Sequence, residues 1–166
     1  MNYSQILKCD IANGLGFRVS LFTSGCARKC PGCQNPQAQD PCFGIPFDDA
    51  AKAKVFAELE RPYCRGLSIL GGEPMSKLGD TRHTVIGFCR EVKERFPDKD
   101  IWLWSGYTYE ELLADPATRG VLEYIDYLID GPFVESLRDQ GIKFRGSSNQ
   151  RVIRLRPTVE DVTAQF

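Results

Sequence analysis

The chain has 166 residues, of which 42% are hydrophobic and 26% charged, a composition typical of one globular domain with a hydrophobic core. Its formal net charge of −1 argues against a general nucleic-acid-binding protein, which would carry a basic surplus. No apolar run approaches the roughly 18 residues of a membrane-spanning helix, and the first residues lack a signal-peptide pattern. We therefore expect a cytoplasmic protein that binds neither nucleic acid nor membrane.

Strands and helices are predicted to alternate along most of the chain. An extended segment and a turn at residues 13–14 come first. Strands are then predicted at 17–23, 67–70, 101–104, 127–129 and 152–155. Helices are predicted to begin near residues 47, 80 and 108, each at an aspartate or threonine that can cap it. This alternation predicts an α/β fold with a mainly parallel sheet.

The predicted architecture is a partial, open β/α barrel. A complete barrel of eight units needs about 250 residues, and this chain can supply only part of one. We expect a single domain over residues 1–156, followed by a poorly ordered tail over residues 157–166. In folds of this kind the active site lies at the carboxyl ends of the strands.

A cluster of cysteines follows the first core strand. Three of the seven cysteines, Cys26, Cys30 and Cys33, have the spacing C-x3-C-x2-C. Thiolates on one short loop can reach a common metal centre, and thiolates favour zinc or iron–sulfur clusters. A structural zinc site needs four close ligands, but the only histidine, His83, lies far along the chain. A four-iron cluster usually takes four cysteines, so three would leave one iron open to a substrate or cofactor.

Each of the following strands also ends in residues suited to a binding site. They are Gly71, Gly72, Glu73 and Pro74 after the second strand, Ser105, Gly106 and Tyr107 after the third, and Asp130 after the fourth. Paired glycines let the backbone approach a ligand closely, and a carboxylate can accept hydrogen bonds from an ammonium group. Because the carboxyl ends of parallel strands meet at one edge, these residues should lie beside the cysteine loop.

The cysteine spacing resembles the cluster motif of the radical S-adenosylmethionine (radical SAM) enzymes, and Gly-Gly-Glu-Pro resembles their second signature. The resemblance implies that Cys26, Cys30 and Cys33 hold a 4Fe–4S cluster whose fourth iron binds S-adenosylmethionine (SAM). It implies SAM-binding roles for Gly71, Gly72, Glu73, Pro74, Ser105, Gly106, Tyr107, Gly32 and Asn13. Gly32 stands where many members carry an aromatic residue, and this departure indicates a subfamily.

The wider pattern is most similar to the activating enzymes of anaerobic ribonucleoside-triphosphate reductases. Matching segments extend from about residue 2 to residue 151, including the arginine–glycine–serine–serine run at 145–148. The resemblance implies an oxidoreductase that receives electrons from a flavodoxin or ferredoxin and cleaves SAM. It would then form a glycyl radical on the large subunit of the reductase. Asp130, Arg145 and Ser147 would contact the cofactor or this partner.

Two other functions are compatible with the same residues. One is a small radical SAM synthase acting on a small molecule of the deazaguanine type, with the same fold, cluster and cofactor. The other is a non-enzymatic zinc-binding adaptor in which Cys42 joins the three motif cysteines. The sequence specifies neither the electron donor nor the oligomeric state, and it leaves the roles of Cys42 and Asp130 open.

Overall fold

A single eight-stranded sheet extends through the protein. The computed structural model describes residues Met1–Phe166. The strands are β1 (Asn2–Asp10), β2 (Phe17–Thr23), β3 (Ile45–Pro46), β4 (Cys64–Gly71), β5 (Asp100–Trp104), β6 (Tyr127–Asp130), β7 (Arg151–Arg154) and β8 (Glu160–Asp161). Their spatial order is β3-β1-β2-β4-β5-β6-β7-β8. The fold is therefore mixed α/β.

The centre of the sheet is parallel and both of its sides are antiparallel. Strands β2, β4, β5 and β6 form three parallel pairs. Strands β1 and β3 on one side, and β7 and β8 on the other, pair antiparallel. The prediction of a mainly parallel sheet is confirmed for the four central strands, and the sheet as a whole is mixed. The connections at 11–16 and 155–159 are too short for a crossover, so those neighbours pair antiparallel.

Three α-helices occupy the connections between the strands: α1 (Asp49–Leu59), α2 (Thr81–Arg95) and α3 (Tyr109–Ala114). The side chain of Asp48 caps α1 by accepting a hydrogen bond from the Ala51 amide. Thr108 and Glu111 form a reciprocal capping box at the start of α3. The predicted helix starts are thus confirmed. None of the helices has the length and apolar character needed to cross a membrane.

The sheet has a larger and a smaller hydrophobic cluster. The larger one joins strand residues such as Ile101 and Leu103 to the buried stripe of α2, which is Val85, Phe88, Cys89 and Val92. Trp102 belongs to the smaller cluster, with Ile129, Val152 and Val162. This division along β5 follows from the two-residue period of a strand.

A buried arginine links neighbouring strands near the amino ends of the parallel strands. Arg18 is fully buried, and its guanidinium donates to Ser68 Oγ at 2.7 Å and to the Leu67 carbonyl at 2.8 Å. It also forms an ion pair of 2.5 Å with Asp100. The loop at 11–16 covers this region, because Ser68 in turn donates to the Asn13 carbonyl at 2.5 Å.

Part of the last ten residues packs on the sheet. Strand β8 pairs with β7, Val162 is 2% exposed, and the Phe166 ring lies 6.1 Å from that of Trp102. The expected domain boundary at residue 156 thus falls between two hydrogen-bonded strands.

Candidate active site

A pocket of about 270 Å³ lies at the carboxyl ends of the parallel strands. Its walls are the cysteine loop after β2, the loops after β4 and β5, and part of the long connection at 131–150 that follows β6. Eight residues expected from the sequence line it: Cys26, Cys30, Cys33, Gly71, Gly72, Glu73, Ser105 and Gly106. These residues come from three separate stretches of chain, and only the parallel arrangement of the strands brings them together.

The cysteine loop is held by backbone hydrogen bonds to a short turn that follows it. The Gly25 amide donates to the Ala38 carbonyl at 2.8 Å, and the Cys26 amide donates to the Gln39 carbonyl at 3.0 Å. The three motif cysteines are free thiols of intermediate exposure. Burial raises the pKa of the Cys26 thiol. Three soft sulfur donors facing one pocket suit an iron–sulfur cluster ligated through three of its irons.

The fourth cysteine of the zinc alternative lies elsewhere. Cys42 is exposed, and its carbonyl accepts a hydrogen bond from the Asn2 amide group at 3.1 Å. It is not part of the pocket lining. No group of three or more His, Cys, Asp or Glu side chains is arranged to hold a single metal ion. The pocket therefore presents three cysteines and not four.

Glu73 joins the loops after β4 and β5. Its Oε1 accepts hydrogen bonds from the Met75 amide at 2.9 Å and from Ser105 Oγ at 2.8 Å. Its Oε2 accepts one from the Gly106 amide at 2.7 Å. The carboxyl is 2% exposed, and burial raises its pKa while these donors lower it. Glu73 thus braces two walls of the pocket, and Oε2 keeps capacity for a further donor.

The two glycines before Glu73 allow the loop after β4 to touch the cysteine loop. Gly71 has a positive φ of 114°, which favours glycine. A Cβ on Gly72 would lie 2.5 Å from the Ala38 carbonyl oxygen and 3.0 Å from that of Gly25. The Glu73 amide donates to the same Gly25 carbonyl at 3.0 Å. The glycine pair therefore serves close contact between two backbones.

The chain matches a family described as the 4Fe-4S single cluster domain over residues 12–153. It is 42% identical over 156 residues to the anaerobic ribonucleoside-triphosphate reductase-activating protein of Pasteurella multocida, covering 93% of this chain and 98% of that one. It is 39% identical over 158 residues to the protein of that name from Escherichia coli K12, covering 94% and 100%. The chain belongs to the family of anaerobic ribonucleoside-triphosphate reductase-activating proteins.

Several of the expected site residues lie outside the pocket of this family member. Pro74, Tyr107, Gly32 and Asn13 are not part of its lining. Asn13 lies in the loop near Arg18 and donates to Asp10 at 2.6 Å. A Cβ on Gly32 would lie 2.5 Å from the Glu135 carboxyl carbon, so that side of the cysteine loop faces the 131–150 connection. A contact between any of the four and SAM stays a prediction.

The three residues expected to contact the cofactor or partner have internal bonds. Asp130 is 1% exposed, forms an ion pair of 2.5 Å with Arg151, and accepts from the Tyr109 amide at 2.7 Å. Ser147 is fully buried, and its hydroxyl accepts from the Val134 amide at 3.2 Å. Arg145 donates to the Gln150 carbonyl at 3.4 Å. These bonds fix the shape of the connection beside the pocket.

Sequence reasoning missed other pocket residues, of which Arg28 is the most notable. Its guanidinium lies 4.7 Å from the centre of the Tyr107 ring. The remaining missed residues are Phe22, Gln34, Asn35, Gln39, Leu70, Trp104, Gly131, Phe133, Gly146 and Gln150. The position of Arg28 between two motif cysteines was a usable signal. Within the 131–150 connection only the run at 145–148 gave a signal, through the family resemblance. Phe133 and Gln150 gave none, because that stretch has no periodic pattern.

Proposed function

We propose that this protein is a glycyl-radical-forming activase. It binds a 4Fe–4S cluster and SAM and forms a glycyl radical on the large subunit of an anaerobic ribonucleoside-triphosphate reductase. One observation carries the proposal: three free cysteines and the Gly-Gly-Glu loop line one pocket in a member of the activating-protein family.

In this proposal Cys26, Cys30 and Cys33 ligate three irons of the cluster. When bound, the cluster would supply the electron that cleaves SAM to methionine and a 5′-deoxyadenosyl radical. Glu73 keeps the loops after β4 and β5 together and offers Oε2 to the ammonium group of the methionyl part. The glycine-rich backbone beside it leaves room for the rest of the cofactor.

The proposed substrate is itself a protein. We propose that the parallel strands are part of an open β/α barrel, whose incomplete wall admits a loop of the reductase. Gln34, Asn35 and Gln39 line the pocket and carry neutral amides. Amides both donate and accept hydrogen bonds, as peptide groups do, so they match the backbone of an entering segment.

The proposed electron donor is a flavodoxin or a ferredoxin, because the cluster of such an enzyme needs a one-electron donor of low potential. The proposed location is the cytoplasm, where thiols stay reduced. All seven cysteines are free, in agreement with that compartment.

The decisive experiment mixes anaerobically reconstituted protein, reductant, SAM and the reductase of the same organism. Electron paramagnetic resonance should then show a persistent glycyl radical on the reductase chain. A glycine Cα radical is delocalised over the flanking amides and is stable without oxygen. After brief exposure to air, mass spectrometry should find the reductase cleaved at one glycine.

Other outcomes would replace the proposal. An intact reductase together with consumption of a small nucleobase precursor would favour the deazaguanine-type synthase. A colourless protein that contains zinc after anaerobic purification would favour the adaptor.

A further inference from the structure

Arg28 is the only basic residue among those that line the pocket, and Glu73 is the only acidic one. The two charged side chains differ in their hydrogen bonding. The Glu73 carboxylate accepts three hydrogen bonds from neighbouring loops. The Arg28 backbone amide bonds to the Cys26 sulfur, and the Arg28 charge lowers the pKa of the nearby Glu73 carboxyl against the larger effect of burial. The Arg28 guanidinium, however, forms no hydrogen bond and no ion pair with a carboxylate oxygen. Its positive charge is therefore not neutralised by direct contact.

The position of Arg28 is nevertheless fixed. The guanidinium stacks 4.7 Å from the Tyr107 ring centre, a cation–π contact that holds the charge at the wall of the pocket. The side-chain stem lies against Gly106, where an added Cβ would come within 2.5 Å of Arg28 Cδ. Gly106 and the Tyr107 ring thus fix the position of the Arg28 side chain.

We propose that Arg28 raises the reduction potential of the cluster held by the three motif cysteines. The proposal rests on the proposed function, since it requires the cluster. Arg28 lies between Cys26 and Cys30 in sequence and lines the same pocket. Reduction adds one electron, supplied by an external donor, and transfers no proton to the arginine, which is charged at every physiological pH. A fixed positive charge nearby stabilises the reduced state.

The neighbouring lysine provides a matched control. Lys29 carries the same charge on the same loop, but it is exposed, has a φ of +46°, and does not line the pocket. Its charge lies in solvent, where screening weakens its effect on the cluster. Removing either charge changes the net charge of the protein equally, so the difference between the two variants measures position alone.

The test is a redox titration of the reconstituted cluster, followed by electron paramagnetic resonance in the absence of SAM. Arg28→Gln should shift the midpoint potential to a more negative value. Lys29→Gln should leave it at the wild-type value. Arg28→Lys should keep a midpoint potential close to that of wild type, because lysine retains the positive charge. Tyr107→Leu should lower the potential in part, because the arginine loses its stacking partner while every cluster ligand remains.

Equal midpoint potentials in wild type, Arg28→Gln and Tyr107→Leu, each with full iron content, would overturn the inference. So would an equal shift in Arg28→Gln and Lys29→Gln, which would reflect net charge alone. If Arg28→Gln fails to take up iron, Tyr107→Leu decides the matter. Failure of the proposed function looks different: the wild-type protein would hold no cluster, or would form no radical on the reductase whatever its potential.

Discussion

Arg18 and Arg28 mark two ends of the same sheet, and the comparison separates stability from function. Arg18, near the amino ends of the strands, is fully buried, is paired with Asp100 and donates to Ser68 and to backbone carbonyls. Arg28, at the carboxyl ends, stacks on an aromatic ring and acts on the Glu73 carboxyl without forming an ion pair with it. The guanidinium at the first end is paired within the protein, and the second end leaves a charge and three thiols available to a ligand.

The largest expected effect is the loss of the cluster at the carboxyl ends of the strands. Cys30→Ala should abolish the cluster, because two thiolates hold it poorly, and should leave the folded protein intact. Cys89→Ala is the matched control, since Cys89 is fully buried in the core and burial raises its pKa to about 12. Iron content after anaerobic reconstitution checks this. Normal iron in the Cys30→Ala protein would remove that residue from the ligand set.

A substitution at the amino ends of the strands, around Arg18, should change the stability of the protein and not its cluster. Arg18→Met removes one partner of a buried ion pair and should lower the free energy of unfolding by about 3 kcal/mol. Arg65 Nε lies 3.1 Å from the other Asp100 oxygen and keeps part of the charge compensated. Urea denaturation measures the loss. The folded variant should reconstitute a normal amount of iron, and a missing cluster would show that the two ends are coupled.

A substitution at Glu73 tests whether the residue that joins the loops after β4 and β5 also binds the cofactor. Glu73→Ala should keep the cluster but weaken SAM binding by about 1.5–3 kcal/mol, since a charge-assisted contact is lost. This corresponds to a roughly 10- to 150-fold rise in Kd. Isothermal titration calorimetry measures the affinity. An unchanged Kd with full iron would mean that the carboxylate only supports the loops.

Gly72 and Gly87 differ in the space available for an added Cβ atom. Gly72→Ala should lower the free energy of unfolding by about 1–3 kcal/mol, because the new Cβ meets two carbonyl oxygens of the cysteine loop and the turn behind it. Gly87→Ala lies inside helix α2 with nothing within 4 Å of the new Cβ, and should raise stability by about 1 kcal/mol. Thermal melts of both variants check the opposite signs, and equal shifts would contradict the argument.

The smallest effect is expected where an ion pair is exposed to water. The Arg151 guanidinium lowers the pKa of Glu110 from its ordinary 4.5 to about 2. A carboxyl whose pKa is lowered on folding stabilises the protein above pH 4.5, and this contribution is lost as the pH falls toward 2. Solvent screening limits it to at most about 1 kcal/mol. Glu110→Gln should flatten this part of the stability–pH curve, and an unchanged curve would assign the pH dependence to other carboxyls.

The sequence by itself determined the local features of this protein. The caps of α1 and α3, the stripe of α2 and the four central strands follow from periodicity and from side-chain hydrogen bonding between near neighbours, which act over one or two turns of chain. The motif cysteines and the Gly-Gly-Glu loop were likewise visible as short patterns. The parallel order of those strands then placed both motifs at one edge of the sheet.

The tertiary structure alone decided which residues meet across the chain. Arg28 against Tyr107, Glu73 between Ser105 and Gly106, and Glu135 beside Gly32 are contacts between segments that no local pattern links. The flanking antiparallel strands and the placement of Asn13 beside Arg18 belong to the same class. Such contacts depend on how the loops close over the finished sheet, and a one-dimensional pattern carries no information about distances between segments that are far apart in sequence.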